Sequence, residues 1–309
     1  MRTDMNRREF LRYQMNGALW LTAAASGLML PGKTLAEGIP DIGVAKGKPT
    51  AATRAAVELL GGMKTVVKPG NKVLIKPNMS FDTPPERASN THPEVVRELA
   101  VMCKEAGASR VMILDHPLHD ATRCLKSSGI LEACKPVDDQ MVHMITDASL
   151  YQETKIPNAV TLTTTDIMKD ALRADVLIAV PVAKSHSGAG VSLSMKGMMG
   201  LIYDRRTMHF KSLHSGIADL TSVLRADLAV IDATRVLSTG GPGGPGKVIR
   251  GDMVIASKDM VAADAYTISS FEWYGKKFKP SQVRHIREAH ERGLGRMDVE
   301  NLNVKTVSV

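Results

Sequence analysis

Lys184, Ser185 and His186 stand together, and a glycine-punctuated run carries the chain from them to Ser192, Ser194 and Lys196. Ammonium groups attract anions, and an imidazole titrates near neutral pH, so the set suits the binding of a small anion and proton transfer at it. The competing interpretation is that both lysines are solvated and His186 caps a turn. The neighbours of Lys196 are apolar or small: Ser194 and Met195 before it, Gly197, Met198, Met199 and Gly200 after it. Burying an unpaired ammonium there is costly. A bound anion, a carboxylate partner, a covalent linkage or snorkelling to water would relieve that cost.

The element that must position this set is the apolar run Val176 to Val182, which predicts a buried strand with Pro181 near its end and a polar turn after it. A short strand over Lys72 to Lys76 runs into Pro77 and Asn78, and Val111 to Leu114 runs into Asp115 and His116. Helices are predicted from Thr50 to Leu60 and from Glu94 to Gly107, the second opened by Thr91-His92-Pro93. This β–α–β rhythm predicts an α/β fold: a mostly parallel sheet flanked by helices, its strand ends gathered on one side. Lys76 with Asn78, Asp115 with His116, and Lys184 with His186 then meet at one edge, where ligands bind in such sheets. For Lys76 and Asn78 ordinary turn chemistry competes equally. His119, Asp120 and Arg123 follow close behind.

Further on, Val160 to Thr163 predicts a strand, Asp166 to Leu172 a short helix, Ile217 to Leu224 a helix, and Leu228 to Ile231 a strand ending in Asp232. The run Gly240 to Gly246 holds Pro242 and Pro245 among its glycines, and reads as an anion-cradling loop or a flexible turn. A strand over Met253 to Ala256, helices over Met260 to Phe271 and Ser281 to Arg292, and a strand over Val304 to Val309 close the chain. Loops near Met141 and Gly240 leave open a division into two α/β sub-domains. His209 and His214 lack the i, i+4 spacing of a one-face zinc pair.

The 309 residues carry a formal charge of +8, with 44% hydrophobic and 4% aromatic residues. So few aromatics offer no stacking platform for single-stranded nucleic acid. Arg7-Arg8-Glu9-Phe10-Leu11, an apolar segment from Met15 to Leu30 and Thr34-Leu35-Ala36 have the order of a twin-arginine export signal. Residues 1–36 are therefore expected to be a signal peptide handled by the twin-arginine machinery. Residues 37–309 would be the periplasmic α/β domain, with no stable membrane span after processing. Without the first 36 residues, 35 of the 40 basic and 30 of the 32 acidic residues remain, a mild excess suited to an anionic small molecule. Cys103, Cys124 and Cys134 contain no C-x-x-C pair and exclude a four-cysteine iron–sulfur motif within this chain. Cys124 and Cys134 are candidates for a disulfide in an oxidising compartment.

Lys76-Pro77-Asn78, Thr91-His92-Pro93-Glu94, Val180 to His186, Ser192 to Gly200, the Asp232-Ala233-Thr234 segment with its later Gly-Gly-Pro, and Ala256 to Ala265 together resemble the family called domain of unknown function 362. The likeness covers nearly all of residues 37–309. The ferredoxin-like cluster segment that many members add is missing from this pattern. A more distant resemblance is to nickel-dependent lactate racemases. It implies His116 and His186 as the acid and base, Lys196 as the cofactor lysine, and His209 or His214 as the nickel ligand. Asp-His-Pro and Ser-Met-Lys depart from the racemase pattern.

Two function classes follow. One is an exported enzyme holding a metal or a lysine-linked organic cofactor, with Lys76, Asn78, Lys184, Ser194 and Lys196 around the ligand. It would act on a small anionic substrate by acid/base chemistry, as an isomerase or oxidoreductase. The other is a non-catalytic periplasmic binding or redox-accessory protein that uses the same lysines for anion capture.

Overall fold

The central strand Val176–Val180 is apolar along its whole length because both of its faces are covered. In β2 (Lys72–Pro77), Val73 and Ile75 enter one core cluster while Leu74 enters another, as the two-residue period of a strand requires. The computed structural model describes residues 38–309, and residues 39–309 form one compact unit, not two sub-domains.

The chain runs β1 (Ile42–Lys46), α1 (Pro49–Leu59), β2, α2 (Pro93–Glu105), β3 (Arg110–Asp115), α3 (Ala121–Ser128), α4 (Ile130–Cys134), β4 (Val142–Met144), β5 (Tyr151–Lys155) and β6 (Thr164–Met168). It continues through α5 (Lys169–Arg173), β7 (Val176–Val180), β8 (Val182–His186), β9 (Gly190–Ser192), α6 (Ser194–Gly197), α7 (Arg206–Lys211) and α8 (Leu213–Val223). The last elements are β10 (Leu228–Leu237), β11 (Val248–Ser257), α9 (Met260–Ser270), β12 (Glu272–Trp273), β13 (Lys276–Lys277), α10 (Arg284–Glu291) and β14 (Val304–Ser308).

The main sheet has the order β14-β1-β11-β10-β7-β2-β3-β4. It is parallel from β10 to β4 and antiparallel where β11 meets β10 and β1. The fold is thus α/β with a mostly parallel sheet. Helices α1 and α2 pack on one face with Val95, Val96 and Leu99; α8, α9 and α10 cover the other with Ile217, Ala263 and Ile286.

Several local expectations change. The apolar run does not end in a turn: it passes Pro181 and continues as β8, which pairs with β10 and, in a hairpin, with β9. Lys184 and His186 therefore sit on a strand. The strand expected over Val160 to Thr163 falls instead at β6, because the backbone amides of Val160, Thr161 and Leu162 are taken by the Asp219 carboxylate rather than by a neighbouring strand. Asp232 is interior to β10, which runs on to Leu237. Cys103, Cys124 and Cys134 are separate buried thiols, so the Cys124–Cys134 disulfide is not formed. Burial without a cationic partner pushes the Cys103 thiol up to about 12. The expected export signal lies outside the described residues. Among those described, no helix is long and apolar enough to cross a membrane.

Candidate functional site

The carboxyl ends of β2, β3 and β7 open onto a cavity of about 230 Å³. β2 delivers Lys76, β3 delivers Asp115, and β8 carries Lys184 and His186 past the end of β7. The short helix α6 places Lys196, and the segment after Leu201 adds Arg205 and His209. Lys76, Lys184, Lys196 and Arg205 are four cationic side chains on one wall system. Among the described residues that line it, Asp115 is the one carboxylate.

Lys76 and Asp115 form a fully buried pair, with Nζ 3.1 Å from Oδ1. Nζ also donates to the Pro77 carbonyl at 2.5 Å, and Asp115 Oδ2 accepts the Met79 N–H at 3.0 Å. Burial lowers the Lys76 pKa, and the Asp115 charge opposes that fall. Gly200 is required beside the pair: a Cβ there would lie 2.2 Å from Asp115 Oδ1 and 2.7 Å from Lys76 Nζ.

Lys184 donates to the Ser89 carbonyl at 2.6 Å and lies 4.6 Å from the centre of the Phe81 ring. Burial, then the charge of Lys196, pulls its pKa down to about 7. Lys196 is 8% exposed and reaches Met199 Sδ at 3.8 Å. Burial and the nearby Arg205 bring it to about 7 as well. Arg205 donates to the Pro117 carbonyl at 2.8 Å. Among the described residues, Lys184, Lys196 and Arg205 have no carboxylate within 4.0 Å. Both lysines are buried rather than solvated, and Lys184, Lys196 and Arg205 lack an ion-pair partner, although the Asp115 charge acts on Lys184 and Arg205 from farther off.

His186 both caps a turn and lines the cavity. Its Nδ1 accepts the N–H groups of Gly188 and Ala189, each at 3.1 Å, so Nε2 carries the ring proton. Burial, followed by the charge of Lys196, drives its pKa down to about 2, which keeps the ring neutral. The His209 ring lies 5.9 Å from it, with Nδ1 donating to the Arg205 carbonyl.

Asn78 lines the cavity while its backbone and side chain tie strands together. Its side-chain oxygen accepts the Val182 N–H at 3.0 Å, next to Pro181, which has no N–H to offer. Its backbone N–H meets Thr91 Oγ1, whose hydroxyl donates to the Val180 carbonyl. Ser194 is not a cavity residue. Its hydroxyl meets the Asp264 carboxylate at 2.5 Å and the Met260 carbonyl at 3.0 Å, which fixes α6 on α9.

His116 also lies off the cavity. Its ring donates from Nδ1 to the Tyr151 hydroxyl at 2.8 Å, whose own proton goes to the Ile145 carbonyl, and packs against Tyr203, so at the end of β3 it is Asp115 that lines the cavity. His214 stacks on the buried His285, with their Nδ1 atoms 3.3 Å apart, and does not meet His209. Of the histidines that the racemase resemblance names, His186 and His209 line the cavity together with Lys196, whereas His116 and His214 lie away from it. Among the described residues no three His, Cys, Asp or Glu side chains gather as a metal site. Lys196 and His209 are the cavity residues that would hold a nickel group.

His119 accepts the Asp82 N–H, Asp120 caps α3, and Arg123 pairs with Asp82, all outside the cavity. The Gly240–Gly246 loop is not a free turn. Gly241 donates to Ser185 Oγ at 3.0 Å, Gly243 packs on the Phe81 ring, and Pro242 forms part of the cavity wall. Glycine is needed at position 241 because a Cβ would lie 2.0 Å from the Ser185 carbonyl oxygen. Arg205 belongs to the basic, histidine-bearing connection Asp204-Arg205-Arg206, whose local pattern does not by itself point to the cavity.

The profile of the family described as Domain of unknown function (DUF362) matches residues 73–269. A thylakoid-associated protein of Synechocystis is 27% identical over 229 residues, which is 69% of this chain and 67% of that protein. Among solved structures, the lactate racemase apoprotein of Thermoanaerobacterium thermosaccharolyticum aligns with a TM-score of 0.45 and 14% identity. That alignment covers 74% of this chain and 57% of the racemase, so the chain spans little more than half its length.

Proposed function

We propose that this chain, which belongs to the DUF362 family, is an enzyme that binds a small anionic substrate in the four-cation cavity and moves protons at it. The observation that carries this is the charge imbalance: Lys184, Lys196 and Arg205 line the cavity without an ion-pair partner, and its one carboxylate among the described residues, Asp115, is paired with Lys76. Buried charge without a partner is unstable, and a bound carboxylate or phosphate supplies what the protein omits.

Arg205 acts as a fixed cation that orients the anion, beside the Lys76–Asp115 pair. Lys184 and Lys196 both lie near 7, so one of them can hold a proton while the other releases it. His186, kept neutral with its proton on Nε2, contributes a hydrogen-bond donor and not a charge. A periplasmic location, reached by twin-arginine export of residues 1–36, is part of the same proposal and rests on the motif at Arg7 and Arg8.

A thermal-shift series with lactate, oxalate, phosphate and chloride tests the binding step. Multivalent or carboxylate anions are expected to raise the melting temperature of the full chain at low millimolar concentration, while chloride at equal ionic strength does not. Lys184→Met should lose most of that rise. Equal responses to all anions, or an undiminished response in Lys184→Met, would remove the cavity from the explanation.

A further inference from the structure

We propose that Lys196 is a nucleophile that forms an imine with the carbonyl carbon of a small 2-oxo acid held in the cavity. The proposal deepens, and rests on, the reading of the cavity as an anion site.

The three buried lysines differ in what holds their nitrogen. Lys76 Nζ has the Pro77 carbonyl at 2.5 Å and Asp115 at 3.1 Å. Lys184 Nζ has the Ser89 carbonyl at 2.6 Å and the face of Phe81. Lys196 Nζ has a thioether sulfur at 3.8 Å, a weak acceptor. An ammonium carries three donors that burial leaves costly unless they are paired, whereas a neutral amine keeps a lone pair and needs far less. Lys196 is thus the lysine of the three best suited to stay neutral in the empty cavity. Its lowered pKa, caused by burial and by Arg205, agrees with this.

Space and charge complete the case. Gly197, next to Lys196 in sequence, lines the cavity and puts no side chain into it. Arg205 supplies positive charge for a carboxylate next to the carbonyl carbon. A 2-oxo acid presents both groups within one small molecule, which suits a cavity of about 230 Å³.

The step balances without an added oxidant or reductant. The nitrogen lone pair attacks the carbonyl carbon, and the carbon–oxygen π pair moves to oxygen to give a carbinolamine. The remaining carbon–oxygen bond then breaks, and the oxygen leaves as water with the two hydrogens that began on the amine. Lys184 lines the same cavity and can lend a proton to the departing oxygen and receive one from nitrogen. Protonation of the imine acidifies the C–H bond on the neighbouring carbon, which places the proton chemistry of the site there.

The full chain is incubated with pyruvate and then with sodium borohydride, which would deliver hydride to the C=N bond, and is read by intact mass and peptide mapping. The expected result is one reduced adduct per chain, on the peptide containing Lys196. It should be absent without borohydride, diminished by excess lactate, and lost in Lys196→Arg. Absence of an adduct with pyruvate and 2-oxobutyrate, or adducts spread over surface lysines in the unaltered chain, would overturn the proposal. Calorimetric titration with lactate, which has no electrophilic carbonyl, separates the two levels. Lactate binding without any adduct rejects the imine and leaves the anion site standing; no binding of either rejects both.

Discussion

Lys76 and Asp115 meet at 3.1 Å with each side chain only 1% exposed, and the pair closes the floor of the cavity where β2 and β3 end. Removing one member leaves the other charged and buried. Asp115→Asn is therefore expected to cost about 3–5 kcal/mol in urea unfolding. Gly200→Ala drives a methyl into the same pair and should cost about 1–3 kcal/mol. An Asp115→Asn protein within error of the parent would mean that Lys76 is neutral in the folded state.

Stability should rise with pH in the ligand-free protein. Lys184 and Lys196 lie near 7 when folded, against an ordinary value of 10.5 when unfolded. From about 7 upward the unfolded chain thus holds more protons, and raising the pH favours the folded state. Above 9 the buried thiols of Cys103 and Cys134, raised to about 12, act in the opposite direction. Asp264, raised to about 7, lowers stability as pH rises below that value. Chemical denaturation between pH 7 and 9 isolates the lysines: a midpoint that climbs is expected, and saturating oxalate should flatten the slope. A flat or falling midpoint would contradict the lowered lysines.

Asn78 and Ser194 can be told apart from the cavity cations by what their loss changes. Ser194→Ala removes the hydroxyl from Asp264 and Met260, and should cost about 1–3 kcal/mol with anion affinity nearly unchanged. Asn78→Ala frees the Val182 N–H and should cost a similar amount. Equilibrium unfolding and anion titration on each variant check this. An affinity loss for Ser194→Ala as large as that for Lys184→Met would return Ser194 to the ligand shell.

Much of the fold was legible because parallel strands covered on both faces read as unbroken apolar runs, as in Val176 to Val180. Their ends located Lys76, Asp115 and Lys184 together. What escaped was set by distant partners. Pro181 looked like a stop, yet Asn78 satisfies the backbone there and lets the chain go on as β8. His116 stood next to the right residue, but successive strand-end side chains face opposite ways, and Tyr151 drew its ring aside. Strand β1 is short and depends on β11 and β14, which lie far away in sequence. Arg205 joins the cavity through a tertiary contact with Pro117 that no local pattern encodes.

The export proposal predicts that Arg7→Lys with Arg8→Lys leaves the precursor in the cytoplasm, folded, since charge is kept while the receptor-read pair is lost. Cell fractionation with an antibody to the chain reads the outcome. Full processing of the double variant outside the inner membrane would reject the twin-arginine route.

Proton uptake on anion binding tests the cavity most directly. Oxalate is titrated calorimetrically into the full chain at about pH 8, in buffers of different ionisation enthalpy, where Lys184 and Lys196 are largely neutral. The four-cation site predicts one oxalate per chain with net proton uptake, and an affinity that weakens by up to about tenfold per pH unit for each proton taken up. Binding with no proton uptake, or no saturable heat at any pH between about 6 and 8, would contradict it.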